Sequence, residues 1–123
     1  MFKIENKVIH CTRGDEGIIP IKLKSATFGT GDIITFGVYE KNGLNKSPLI
    51  YKEVSISGPT SEVNINLSSE DTKIGEMLNK EITYWYEIEL NHKKTLLGYD
   101  ENKAKEFILY PEGATKTVTP EEE

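Results

Sequence analysis

From Ile82 to Leu90 the chain alternates: Ile82, Tyr84, Tyr86, Ile88 and Leu90 are apolar or phenolic, while the positions between them are Thr83, Trp85, Glu87 and Glu89. A period of two sends successive side chains to opposite faces, which a strand does and a helix does not. The same period recurs upstream. Ile19, Ile21 and Leu23 alternate with Pro20 and Lys22, Ile34, Phe36 and Val38 share one face of the run 33–40, and Val63, Ile65 and Leu67 alternate with Asn64 and Asn66. The segment 49–56, closed by Ser57-Gly58-Pro59, reads as another strand. Pro20 has no N–H to give to a ladder, so its strand is expected at a sheet edge or at a bulge. The run 82–90 is expected at the centre of a sheet, with Ile34, Phe36, Val38, Tyr84, Tyr86 and Ile88 buried together.

The connections follow from turn chemistry. Lys41 to Pro48 contains Asn42-Gly43 and predicts a wide hairpin loop. Ser69-Glu70-Asp71-Thr72 predicts the start of a short helical connector over 69–78, with Ser68 or Ser69 as cap and Gly75 limiting its length. Leu96-Leu97-Gly98-Tyr99 and Phe107-Ile108-Leu109-Tyr110, stopped by Pro111, predict a final hairpin around the polar loop 100–105. About seven short strands at this spacing predict an all-β fold, an immunoglobulin-like antiparallel β-sandwich with one short helical connector, and a small barrel is the second choice. The sandwich domain is expected over 1–112. Residues 113–123, ending in Glu121-Glu122-Glu123, have no periodicity and are expected to form a flexible acidic tail.

Composition narrows the function classes. The chain has 123 residues with 15 Lys+Arg against 20 Asp+Glu, a formal net charge of -5, and no basic stripe, which argues against nucleic acid as a partner. No segment approaches the ~18 continuous apolar residues of a membrane span, and Met1 to Asn6 has no apolar core of signal-peptide length. The single Cys11 has no internal disulfide partner, so synthesis in a reducing cytoplasm is expected.

The candidate chemistry is sparse. Arg13-Gly14-Asp15 is the tripeptide integrins read, but Gly and Asp between two strands are ordinary turn residues, and a structural turn is expected. His10, Cys11 and His92 lack the spacing of a metal site, and no metal or other cofactor is expected. Cys11, alternating with apolar neighbours, reads as a small core residue. Glu70-Asp71 and Glu87/Glu89 are the acid pairs that a glycosidase reading would use. The first looks like a helix start and the second like the solvent side of one strand, so neither is expected to flank a cleft. No nucleophile elbow or phosphate-binding glycine loop is present, and no catalytic residue is assigned. Tyr39, Tyr51 and Trp85 fall at outward positions of their strands, where large rigid aromatic area suits a protein interface.

The order of these blocks resembles a known family. Thr12-Arg13-Gly14-Asp15, Gly31-Asp32-Ile33-Ile34-Thr35-Phe36, Leu49-Ile50-Tyr51-Lys52, Leu67-Ser68-Ser69-Glu70-Asp71-Thr72, Tyr84-Trp85-Tyr86-Glu87-Ile88-Glu89-Leu90 and Phe107-Ile108-Leu109 with Pro111-Glu112 form a series. It is similar to the N-terminal domain of baseplate upper proteins from tailed phages and prophages of Gram-positive bacteria, over about Val8 to Glu112. The resemblance implies an immunoglobulin-like sandwich and a non-catalytic virion structural protein that docks onto other tail or baseplate proteins, located at the tail tip after synthesis in the host cytoplasm. In that family a trimerising stalk usually follows the domain, which leaves a homo-oligomer open. The reading from another class is a carbohydrate-binding sandwich with Trp85 and Tyr51 as a sugar platform.

Overall fold

The computed structural model describes residues 1–23, 26–40, 47–75, 80–97 and 105–112. Among the described residues the strands are β1 (Phe2–Glu5), β2 (Val8–Thr12), β3 (Gly17–Lys22), β4 (Ile33–Tyr39), β5 (Ile50–Ser55), β6 (Glu62–Leu67), β7 (Ile82–Leu90), β8 (Lys94–Leu97) and β9 (Lys105–Tyr110). The fold is all-β, and its framework is the pair that alternates most strongly. β7 lies antiparallel to β4 with Phe36 opposite Ile88 and Val38 opposite Tyr86, so the two apolar stripes fall on one face.

Around that pair the order is β1-β2-β9-β7-β4-β5, with β8 also on β7. The sheet is mixed, because β2 and β9 run parallel with Ile9 opposite Phe107 and Cys11 opposite Leu109. β3 and β6 form a separate antiparallel ribbon, Ile19 opposite Ile65, whose apolar side joins the inner face of the large sheet in one core. Ile34, Phe36, Val38, Tyr84, Tyr86 and Ile88 are all buried there, with Ile9, Cys11, Phe107 and Leu109 from the flanking strands and Ile19, Ile21, Ile65 and Leu67 from the ribbon. Phe36 stands between Tyr86 and Phe107, ring centroids 5.7 and 6.5 Å away. The Tyr86 hydroxyl donates to the Lys7 carbonyl at 2.8 Å, and burial pushes its pKa up to about 12. β3 has no strand neighbour besides β6, which puts Pro20, exposed, at an edge as its missing N–H requires.

Where an antiparallel sandwich was expected the large sheet is mixed, because β2 pairs in parallel with β9; three further expectations change. A strand before Arg13 was expected and is β2, but its hairpin with a preceding β1 was not; the β1–β2 turn, Asn6-Lys7, and the β7–β8 turn, Asn91-His92, place two successive residues at positive φ (52° and 66°, 54° and 58°). In the first, where Glu5 pairs with Val8, this is the geometry of a two-residue hairpin, and in the second three residues separate Leu90 from its partner Lys94; Asn opens both without glycine. The expected hairpin between 96–99 and 107–110 does not form. β7 offers β4 one edge and divides the other, giving Ile88–Leu90 to β8 and Ile82–Tyr86 to β9, so β8 and β9 follow one another along β7. The described part of the expected connector, Ser69–Gly75, is turn. Ser68 and Asp71 exchange the hydrogen bonds of a helix start, backbone N–H to side chain at 2.8 and 3.2 Å. However, Gly75 sits at φ 70° and the carbonyls of Lys73, Ile74 and Gly75 accept from Arg13 instead of continuing a helix. The expected loop residues 41–46, the end of the connector at 76–79, most of the loop 100–105 and the tail 113–123 lie outside the described residues.

Candidate functional site

The ribbon covers one face of the large sheet and leaves the other uncovered by any second layer among the described strands. Register places side chains on this outer face in rows. Tyr51 (β5), Gly37 (β4) and Glu87 (β7) stand side by side; so do Glu53, Thr35 and Glu89, and next along come Tyr39, Trp85 and Glu106. The three aromatic residues expected to point outward are therefore brought onto one surface. Tyr51 is 49% exposed; Tyr39 and Trp85 are half-buried.

Gly37 determines how Tyr39 lies. A Cβ at position 37 would come within 2.8 Å of the Tyr39 hydroxyl oxygen and about 3.0 Å of its ring carbons, so the phenol lies flat across the glycine, along its own strand. Flanking side chains close over the rest of β4, and Thr35 and Gly37 are buried even though they belong to the outer side. A simple alternation of buried and exposed positions fails here because β4 has large neighbours on both edges.

The electrostatics of this face are one-sided. Burial raises the Glu87 pKa, and the charge of Glu89, two residues along the same side, raises it further, together with a hydrogen bond between the two side chains that only a protonated carboxyl can donate. Burial also raises the Tyr39 pKa, with Glu87, Glu89 and Tyr51 adding to it, and the Tyr51 pKa, with Glu53 and Glu89 adding. At the rim His92 Nε2 lies 3.4 Å from Glu53 Oε2. His10, on the same face further along, bonds through Nδ1 to the Tyr110 hydroxyl at 2.8 Å.

The tripeptide Arg13-Gly14-Asp15 is built differently. The Arg13 side chain donates from Nε to the Ile74 carbonyl (3.1 Å), from one terminal nitrogen to Glu112 Oε1 (3.0 Å), and from the other to the carbonyls of Gly75 (2.9 Å) and Lys73 (3.4 Å). Gly14, at φ 90°, gives its N–H to Thr72 Oγ1 at 3.0 Å, and the buried Thr72 hydroxyl lies 2.9 Å from the Asp15 carbonyl it donates to. The Met1 amino group pairs with the Asp15 carboxylate. All three residues are used in tying β2, the 69–75 turn and the end of β9 together.

The remaining candidates are dispersed. Cys11 is buried on the inner face and its thiol lies 3.3 Å from the Thr12 carbonyl, while His10 and His92 lie apart on the outer face and the β7–β8 turn. Asp71 pairs with Lys52 at 3.0 Å, and Glu70 with Lys73 at 3.7 Å. An apolar cleft of about 350 Å³ opens where the ribbon and the large sheet part, floored by Ile9, Ile21, Tyr86, Ile88 and Leu96, with Lys7 and Lys22 at its mouth. The site that the geometry gathers is thus an aromatic and acidic sheet face. Sequence reasoning placed its aromatics but missed Gly37, Glu53 and Glu106 as their neighbours, since these depend on register between strands and not on alternation within one.

No family model matches the chain, and no curated protein or solved structure matches it.

Proposed function

We propose that this chain is a non-catalytic virion interaction module of a phage or prophage tail tip, docking onto other baseplate proteins through the outer face of its large sheet. The observation that carries the reading is the gathering of Tyr39, Tyr51 and Trp85 on one face with no second layer of described strands over it. The order of sequence blocks shared with the baseplate upper proteins supports the assignment to a tail. In this reading the sheet and its two-stranded ribbon are an open variant of the immunoglobulin-like sandwich. Anchors of this type concentrate interface energy, and a standard interface buries roughly 800 Å² per partner. Trp85→Ala is therefore expected to weaken capture by purified phage particles, or by a co-expressed tail-tip core protein, by at least ~2 kcal/mol with the fold intact. Failure of the wild-type chain to associate with any tail component overturns the proposal.

A carbohydrate-binding module is the second reading, favoured by the same aromatics standing beside carboxylates on one sheet face. Saturable binding of a cell-wall oligosaccharide, lost in Trp85→Ala, would replace the first reading with this one.

A further inference from the structure

We infer that the partner presents a basic protein segment to this face, with an arginine or lysine side chain laid along Tyr39, Tyr51 and Trp85 and its charge delivered to Glu87 and Glu89. The inference rests on the docking reading above and adds the chemistry of what docks.

Charge complementarity chooses the occupant. Glu53, Glu87, Glu89 and Glu106 stand in three adjacent rows with Tyr51, Tyr39 and Trp85, and among the described residues no lysine or arginine occupies a position in those rows. Among the described residues neither Glu87 nor Glu89 has a cation within ion-pair distance, while Lys52 and Arg13 are paired elsewhere. Two carboxylates facing each other two residues apart on a part-buried strand repel, and burial together with that repulsion raises the Glu87 pKa. A cation brought by a partner relieves the repulsion and gains an attraction to each carboxylate.

The aromatic residues suit the rest of such a side chain. A guanidinium is planar and weakly hydrated; it stacks on aromatic rings while its N–H groups fork toward carboxylates, and the methylene stems of Arg and Lys cover apolar area. Tyr39, flat over Gly37, gives that stem a floor beside Glu87 instead of a wall. A neutral sugar would stack on the same rings but leave the carboxylate repulsion in place, and an acidic partner would increase it.

Trp85 is the chain's only tryptophan and lies on the face, so its fluorescence reports occupancy. The whole chain is titrated at low salt with a short peptide alternating arginine with serine, with the same peptide carrying citrulline for arginine, and with an N-acetylglucosamine oligomer. The expected result is a saturable Trp85 change with the arginine peptide only, weakened by added salt and weakened roughly tenfold or more in the doubly substituted Glu87→Gln, Glu89→Gln chain. Tyr51→Ala, at an exposed position, gives an independent loss if the double variant unfolds. A Trp85 change equal for arginine and citrulline peptides, or none with either, overturns the inference, and a change with the sugar that survives both glutamine substitutions transfers the face to carbohydrate. Capture by phage particles separates this inference from the one it rests on. If particles retain the wild-type and the double variant equally, the docking reading stands and the basic partner falls. If they retain neither chain while the arginine peptide binds through the carboxylates, the surface chemistry stands and the virion assignment falls.

Discussion

Arg13 and the Glu87–Glu89 pair are both charges that folding has drawn partly out of water, and they are treated in opposite ways. Arg13 is met by a carboxylate and three backbone carbonyls from the 73–75 turn, so four of its five donors are used inside the chain. Glu87 and Glu89 are given each other. A fully met charge ties elements together and needs nothing more, whereas a like-charged pair beside half-exposed aromatics leaves its compensation to something outside the domain. The contrast separates a motif that resembles a binding signal from a surface that has the properties of one.

The largest expected effect comes from breaking the met charge. Arg13→Met keeps much of the volume but strands Glu112, 17% exposed, and removes the donors that hold Ile74 and Gly75. A partly buried pair broken on one side should cost about 2 to 3 kcal/mol in a urea titration. A loss below about 0.5 kcal/mol would show that the Arg13 corner contributes little to holding the strands together. Thr72→Val comes next. It leaves the Gly14 N–H and the Asp15 carbonyl without the hydroxyl they share, at a position with no solvent exposure, and should cost about 1 to 3 kcal/mol. Gly14→Ala should cost about 1 to 2 kcal/mol. The new Cβ must accept φ 90° and stands 3.1 Å from Glu112 Oε2, so the melting temperature should fall, while integrin-bearing cells bind neither form.

These residues also show what sequence can and cannot reveal. Alternation within β4 and β7 was enough to bury Phe36, Val38, Tyr86 and Ile88 together and to send Tyr39 and Trp85 to the other side, because a strand's period is local and hydrophobic burial enforces it. Pro20 marked an edge for the same local reason. What was not legible depends on distant partners. The parallel pairing of β2 with β9, the division of one edge of β7 between β8 and β9, and the alignment of Tyr51, Gly37 and Glu87 in one row are settled by which strands meet. Helix-start chemistry at Ser68 and Asp71 is present in full, yet Arg13, more than fifty residues earlier, takes the carbonyls the helix would have used. The Asn6-Lys7 and Asn91-His92 turns carried a local signal, Asn where φ turns positive, that a search for glycine passes over.

The smallest effect has the opposite sign and tests the unmet side of the contrast. Glu87→Gln removes a like charge and keeps the side chain's shape, so it should leave stability unchanged or raise it, by well under about 1 kcal/mol because water reaches the pair. The pH dependence is more diagnostic than the size. Burial and Glu89 raise the Glu87 pKa in the folded chain above its unfolded value, so between the two values the folded state binds more protons and stability falls as pH rises. Acidification from neutrality should therefore strengthen the wild-type fold until the ordinary glutamate range is reached. Asp71 and Asp32 work in a lower window. Burial opposes the shift at Asp71, but the Ser68 amide and Lys52 hold its pKa down, and the Gly29 amide and Asn91 do the same for Asp32. Their contributions are present above the ordinary aspartate value and are lost as pH falls through the depressed folded values. Subtracting the urea midpoints of Glu87→Gln from those of the wild type across this range cancels the aspartates and isolates the glutamate. A difference that shrinks on acidification shows that the pair carries an unrelieved charge. A difference independent of pH would mean that Glu87 is already compensated in the isolated domain, and that the outer face asks nothing of a partner.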